Sequence, residues 1–207
     1  THHAILLITL LISGCFSYPD ITSDEFDQDM TVTYVDSSSN FDQYNTIAIV
    51  DSIKIIETNG TILVDTSLTG YYADISLEAI RENLENYGYT IVSLADSPDL
   101  VMNITVMNAD YFGFIISGDC YYPNYWDWPH SLLDLEYCYS VPVYGFDNKG
   151  CLILDIIDLT KKNSSGNYNG KWHASIQVQL NEPDNTLGNR LIRGIDEAFL
   201  QSPYLEQ

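Results

Sequence analysis

The sequence predicts an α+β protein: a two-layer α/β sandwich whose mostly antiparallel sheet carries two helices on one face, with an aromatic-rich insertion. Three observations lead there. Leu77, Ile80, Leu84 and Tyr87 recur at spacings of three and four, while Glu78, Arg81, Glu82 and Glu85 fall largely elsewhere, which describes an amphipathic helix. Between Thr186 and Gln201, Leu187, Leu191, Ile195 and Phe199 stand every fourth residue, and Ser202-Pro203 stops this second helix. Other segments alternate with period two: Met102, Ile104 and Val106 against Asn103 and Thr105, and Trp172, Ala174, Ile176, Val178 and Leu180 against His173, Ser175, Gln177 and Gln179. Those patterns predict strands with one dry and one wet face.

The chain opens with the apolar run Ala4–Ile12, nine residues against the roughly 20 that a membrane-crossing helix needs. It reads as the hydrophobic core of a signal peptide. The run ends in Leu11-Ile12-Ser13-Gly14-Cys15, which resembles the bacterial lipobox, so we expect residues 1–14 to be removed and Cys15 to be lipidated. No methionine and no Lys or Arg precede the run, and a signal truncated at its start is expected. Phe16 rather than aspartate follows the cysteine, which favours the outer membrane of a bacterial cell envelope over retention in the inner one. Residues 15–30, polar and acidic with Asp24, Glu25, Asp27 and Asp29, read as a tether. They lack the glycine turn of a calcium loop.

A single domain is expected over residues 31–207. Thr31–Val35 is its first strand, Asp36-Ser37-Ser38-Ser39-Asn40 a break, and Thr46–Val50 a second strand. Two apolar bursts between Ile53 and Leu68 flank Asn59-Gly60 as a hairpin would. After the first helix, Gly88 stands where a left-handed cap is needed, Tyr89–Val92 is a short strand, and Asp96-Ser97-Pro98-Asp99 is a polar turn. Gly150–Asp158 is apolar enough to have both faces covered, near the middle of a sheet, and Lys161–Gly170 is a hairpin loop.

Residues 111–144 form the insertion, holding eleven aromatic residues, no Lys or Arg, and the prolines Pro123, Pro129 and Pro142. Its rings either fold back as a satellite core or form a contact surface, for which Tyr121, Tyr122, Tyr125, Trp126 and Trp128 are the candidates. Cys120 and Cys138 bracket the cluster, and an exported domain meets oxidising conditions, so a disulfide between them is expected. Three cysteines after Cys15 allow three pairings. Cys151, opening an apolar strand, is read as the buried thiol.

A formal net charge of −21 repels phosphate backbones and anionic headgroups, which argues against nucleic acid as a partner. Beyond residue 15 the histidines are His130 and His173, neither with a second ligand at zinc spacing, so no metal and no cofactor is expected. Asp155 and Asp158, three apart on a strand, point to opposite faces and make no catalytic pair. No nucleophile elbow and no phosphate loop is present.

From Phe41 onward the sequence resembles a known family. Phe41, Tyr44 and Thr46 before an aliphatic strand, a helix ending at Gly88-Tyr89, the turn Asp96-Ser97-Pro98-Asp99 opening a strand, the glycine-led strand Gly150–Asp158 and a strand opened by Trp172 follow in the order of the domain-of-unknown-function-4136 lipoproteins. Ser97 interrupts the family's Asp-Pro pair, and Ala174 stands where a glycine is frequent. The resemblance implies no catalytic residues. The expectation is therefore a non-catalytic, lipid-anchored envelope lipoprotein that binds a protein or other envelope component, the alternative being a glycan- or small-ligand-binding module using residues 121–128.

Overall fold

The computed structural model describes residues 29–50, 52–57, 62–109, 149–162, 168–179 and 184–207. Strands β1 (Met30–Val35), β2 (Thr46–Ile49), β3 (Ile53–Glu57) and β4 (Ile62–Leu68) precede helix α1 (Tyr71–Asn86). Then come β5 (Thr90–Ile91), β6 (Leu100–Ala109), β7 (Lys149–Lys162), β8 (Tyr168–Gln179) and helix α2 (Asp184–Leu200). The sheet runs β1-β8-β7-β6-β2-β5, with β3 continuing along β6 and β4 outside β3. The β1/β8, β8/β7, β7/β6 and β3/β4 pairs are antiparallel, whereas β2 and β3 run parallel to β6, and β2 parallel to β5. The expected α+β sandwich is present, and the β3–β4 hairpin lies where the two apolar bursts put it.

Both helices contribute to one core on one side of the sheet. Ile80 and Leu84 of α1 and Leu191, Ile195 and Phe199 of α2 meet Met102, Ile104, Leu154, Ile156, Trp172, Ala174 and Ile176. Gly88 takes the expected left-handed conformation, φ 92°, and lets the chain leave α1 for β5. Gly194 serves proximity instead. A Cβ built there would overlap Ile176 Cγ2, so α2 approaches β8 more closely than any other residue would allow. Arg190 of α2 grips Asp29 just before β1 through two nitrogens, with Nε 2.7 Å from Oδ2, and ties this helix to the edge strand.

Three local readings need correction. β5 is two residues long instead of four, because the chain leaves the sheet for a 3-10 turn at Leu94–Asp96. The β7/β8 hairpin loop is shorter than residues 161–170, since Lys162 still pairs with Tyr168. Most consequentially, the polar faces of β6 and β8 are not wet: Asn103, Thr105, His173, Ser175 and Gln177 are all buried. Period-two alternation reports which side chains share a face, and burial of that face is a tertiary property that the alternation does not carry. Gly150–Asp158 of β7 is withdrawn from solvent on both faces, as its apolar sequence predicts, whereas Thr160–Lys162 at its end are exposed.

A polar sheet face, a family frame and an edge cleft

Register assembles the polar face in rows. Asn103 of β6, Asp155 of β7, His173 of β8 and Tyr34 of β1 stand side by side across four strands. Within this row Asp155 Oδ1 lies 2.7 Å from His173 Nδ1, both side chains being withdrawn from solvent. This contact at hydrogen-bond distance holds the imidazole against the neighbouring strand. The adjacent row holds Thr105, Ile153, Ser175 and Val32, and Cys151 Sγ reaches Ser175 Oγ at 3.1 Å from the row beyond. Burial pushes the Cys151 thiol up to about 11, against the lowering influence of Ser175 and the Ile176 backbone. At neutral pH it remains a thiol, a poor nucleophile.

A cavity of about 560 Å³ opens where β5 stops short of the end of β2. Ala48, Val50 and Val101 line it from the side of the sheet away from the helices, Ile49 and Ile91 from the helical side, and Ser52 and Ser93 add hydroxyls. Arg81 of α1 forms part of the wall. Among the described residues this guanidinium makes no ion pair, although Glu78 and Glu85 lie three residues before and four after it on the same helix. A second cavity of about 480 Å³, between residues 35–42 and Tyr204, is lined by Asp36, Asp42 and Glu206. Of this lining Asp36 is engaged, Lys171 Nζ being 3.0 Å from its Oδ2.

Of the sites expected from sequence, Cys15, the pair Cys120 and Cys138, and the cluster Tyr121, Tyr122, Tyr125, Trp126 and Trp128 lie outside the described residues. Cys151 is a free, buried thiol, as read. Asp155 and Asp158 do face opposite sides, one paired with His173 and the other bonded to Tyr44. In the sequence Arg81 stands off the apolar stripe of its helix, and nothing else local marks the cleft it lines. The available signal was an arginine isolated on an acidic helix.

The motifs converge on one end of the sheet. Tyr44 Oη donates to Asp158 Oδ2 at 2.9 Å, while Asp158 Oδ1 accepts from Thr160 N at 2.8 Å and Thr160 Oγ1 at 2.6 Å. The Phe41 ring lies edge-on to Tyr44 and tilted against Tyr204, both at 6.2 Å. Asp99 Oδ2 accepts from Asn45 N at 2.8 Å and from Thr46 N and Oγ1 at 3.0 Å. Trp172 Nε1 donates to Ser202 Oγ at 2.8 Å. Residues 31–204 match the domain of unknown function DUF4136.

The chain belongs to the DUF4136 family. A DUF4136 protein from Bacteroides thetaiotaomicron has the same fold, with 23% identity and a TM-score of 0.62 over 86% of this chain and 98% of that one. A PelC dodecamer from Paraburkholderia phytofirmans aligns at 13% identity with a TM-score of 0.43, over 86% and 99% of the two chains. A PDZ domain protein from Parabacteroides distasonis aligns at 14% and 0.39, over 88% of this chain and 41% of that one. No curated protein matches. In this DUF4136 domain the family marks are framework: Phe41, Tyr44, Asp158 and Trp172 are buried and bonded to one another's neighbourhood.

The frame predicts an acid sensitivity. Burial pushes the Asp99 carboxyl up, but the donors from Asn45 and Thr46 outweigh it and hold the group below the usual carboxylate range. A depressed value means stability fully present above the unfolded value of about 4 and lost as pH falls through the folded one. Asp36, held low by Ser38 and Lys171 against its own burial, acts with the same sign. Denaturant midpoints measured from neutral pH downward should therefore fall less steeply below about pH 4 in Asp99→Asn than in the parent. Parallel acid limbs would show that Asp99 is not a determinant.

Proposed function

We propose that this DUF4136 protein is a non-catalytic, lipid-anchored lipoprotein of the bacterial cell envelope whose α/β domain binds an envelope component. The carrying observation is the division of labour among its residues. The family marks are occupied in closing the frame, the Asp155–His173 pair is buried, and burial keeps the Cys151 thiol protonated. Among the described residues a cleft of about 560 Å³, a volume typical of small-molecule sites, stays open with Arg81, which makes no ion pair there, in its wall. The signal-like run and Ser13-Gly14-Cys15 support attachment through Cys15 to a membrane, the outer one being favoured by Phe16.

The anchoring half of this reading predicts that the full-length protein partitions into membranes and carries acyl chains, each buried CH₂ contributing about 0.8 kcal/mol. Cys15→Ala should leave an unprocessed, unlipidated chain. If that variant is processed normally and fractionates with membranes, anchoring through Cys15 is wrong. For the binding half, pull-downs from envelope extract should recover a stoichiometric protein. The second reading, a glycan- or small-ligand module built on Tyr121, Tyr122, Tyr125, Trp126 and Trp128, rests on the aromatic density of a stretch devoid of Lys and Arg. Glycan arrays that retain the protein while pull-downs recover nothing would favour it.

A further inference from the structure

We propose that the edge cleft receives the carboxyl terminus of an extended peptide, which adds as a short strand to β2 while its terminal carboxylate pairs with Arg81. The inference deepens the reading of the cleft as the binding surface and rests on it. The backbone geometry comes first. Val92 N–H donates to the Ile47 carbonyl at 3.0 Å, and Val50 N–H donates to the Met102 carbonyl at 3.1 Å, so position 47 addresses β5 and position 50 addresses β6. Strand alternation then turns the N–H and C=O of Ile49 outward, the way Ile47 faces, beyond the last residue of β5.

On the far side of the opening, β4 joins the edge only at Ile53, opposite Leu68. Between these neighbours the sheet edge is interrupted, and Ala48, Ile49, Val50 and Ser52 line the opening. The edge is also irregular there, since five residue steps from Ile49 to Lys54 face three steps on β6, from Met102 to Thr105. An open edge presents backbone donors and acceptors that an incoming strand satisfies, with pockets on alternate sides for its side chains. Ala48 and Val50 on one side, Ile49 and Ile91 on the other, supply such pockets.

Charge selects the occupant's end. In a chain of net charge −21, a polyanion is repelled as a whole, while a single carboxylate can be drawn to a single cation. Among the described residues Arg81 makes no ion pair, not even with Glu78 or Glu85 of its own helix, and its planar fork matches one carboxylate in a two-bond arrangement. A peptide end brings backbone and carboxylate together.

The test uses the full chain in detergent micelles and a mixture of acetylated tetrapeptides of Val, Ile, Thr and Ser, prepared as free acids and as terminal amides, with affinity selection read by mass spectrometry. Free acids should be retained about two- to fivefold over amides, the worth of one ion pair to an exposed guanidinium. Arg81→Gln, an exposed change expected to leave the melting temperature in place, should erase that difference, and Arg81→Lys should restore part of it. N-methylation of alternate peptide amides should abolish retention without touching the protein. Equal retention of acids and amides, or of methylated and unmethylated peptides, overturns the proposal, as does retention of neither. Acetate competing as well as the tetrapeptides overturns it in favour of a small-anion site. Should Arg81→Gln lose a partner recovered from envelope extract while no tetrapeptide binds, the cleft stays the binding surface and the peptide terminus is discarded.

Discussion

Trp172→Ala is expected to lower the unfolding free energy by about 3–5 kcal/mol, the cost of removing a large aromatic side chain from a core. Trp172 is fully buried, its ring lies 5.6 Å from that of Phe199, and its Nε1–H donates to Ser202 Oγ. Two losses combine in the variant: an unfilled space between β8 and α2, and a buried hydroxyl with one partner fewer, although Tyr204 Oη still donates to it at 3.2 Å. Trp172→Phe keeps most of the volume and gives up the indole donor, so it should cost about 1–2 kcal/mol. Urea unfolding followed by circular dichroism measures both. A loss below about 1 kcal/mol for Trp172→Ala would mean the site collapses and the packing argument fails.

Gly194→Val should destabilise by about 3 kcal/mol or more, because the new side chain must displace either Ile176 or the helix. Helix propensity works the other way, since glycine in a helix interior is about 1 kcal/mol worse than alanine, and overlap with a core side chain outweighs that gain. Gly188 is the internal control. A Cβ there would meet Ile75 Cδ1 and Tyr71 Oη at 3.0 Å, both at the ends of side chains able to move aside. Gly188→Ala is therefore expected to lie within about 1 kcal/mol of the parent. If the two positions respond alike, close approach of α2 to β8 is not what Gly194 provides.

Both helices were legible because period 3.6 writes their buried faces into the sequence: Ile80 and Leu84, and Leu191, Ile195 and Phe199, are core residues as read. Gly88 was legible because a left-handed cap has few other solutions. Strand neighbours were not. Thr90 and Ile91 follow α1 directly and β6 comes next in the chain, yet β2 lies between β5 and β6, and hydrophobic alternation fixes the face of a strand and says nothing of its neighbour. The cleft was illegible for a related reason: it exists because pairing stops, at Ile91 on one side and Leu68 on the other. The bond from Tyr44 to Asp158 joins residues 114 apart, and neither carries a local mark of its partner.

That same interposed strand sets the order in which the chain can fold. α1, β5 and β6 are contiguous, but β5 reaches the sheet only through β2, and the far edge waits for Met30 to meet Gln177. Local contacts within this contiguous unit therefore cannot complete the sheet, which needs β2 from the beginning of the domain to pair with both β6 and β5. Loop-closure entropy then opposes these long-range pairings before they bury apolar surface, and slow refolding for a domain of this size is the expected result in stopped-flow measurements. Until β2 arrives, β6 offers its open side to any passing strand.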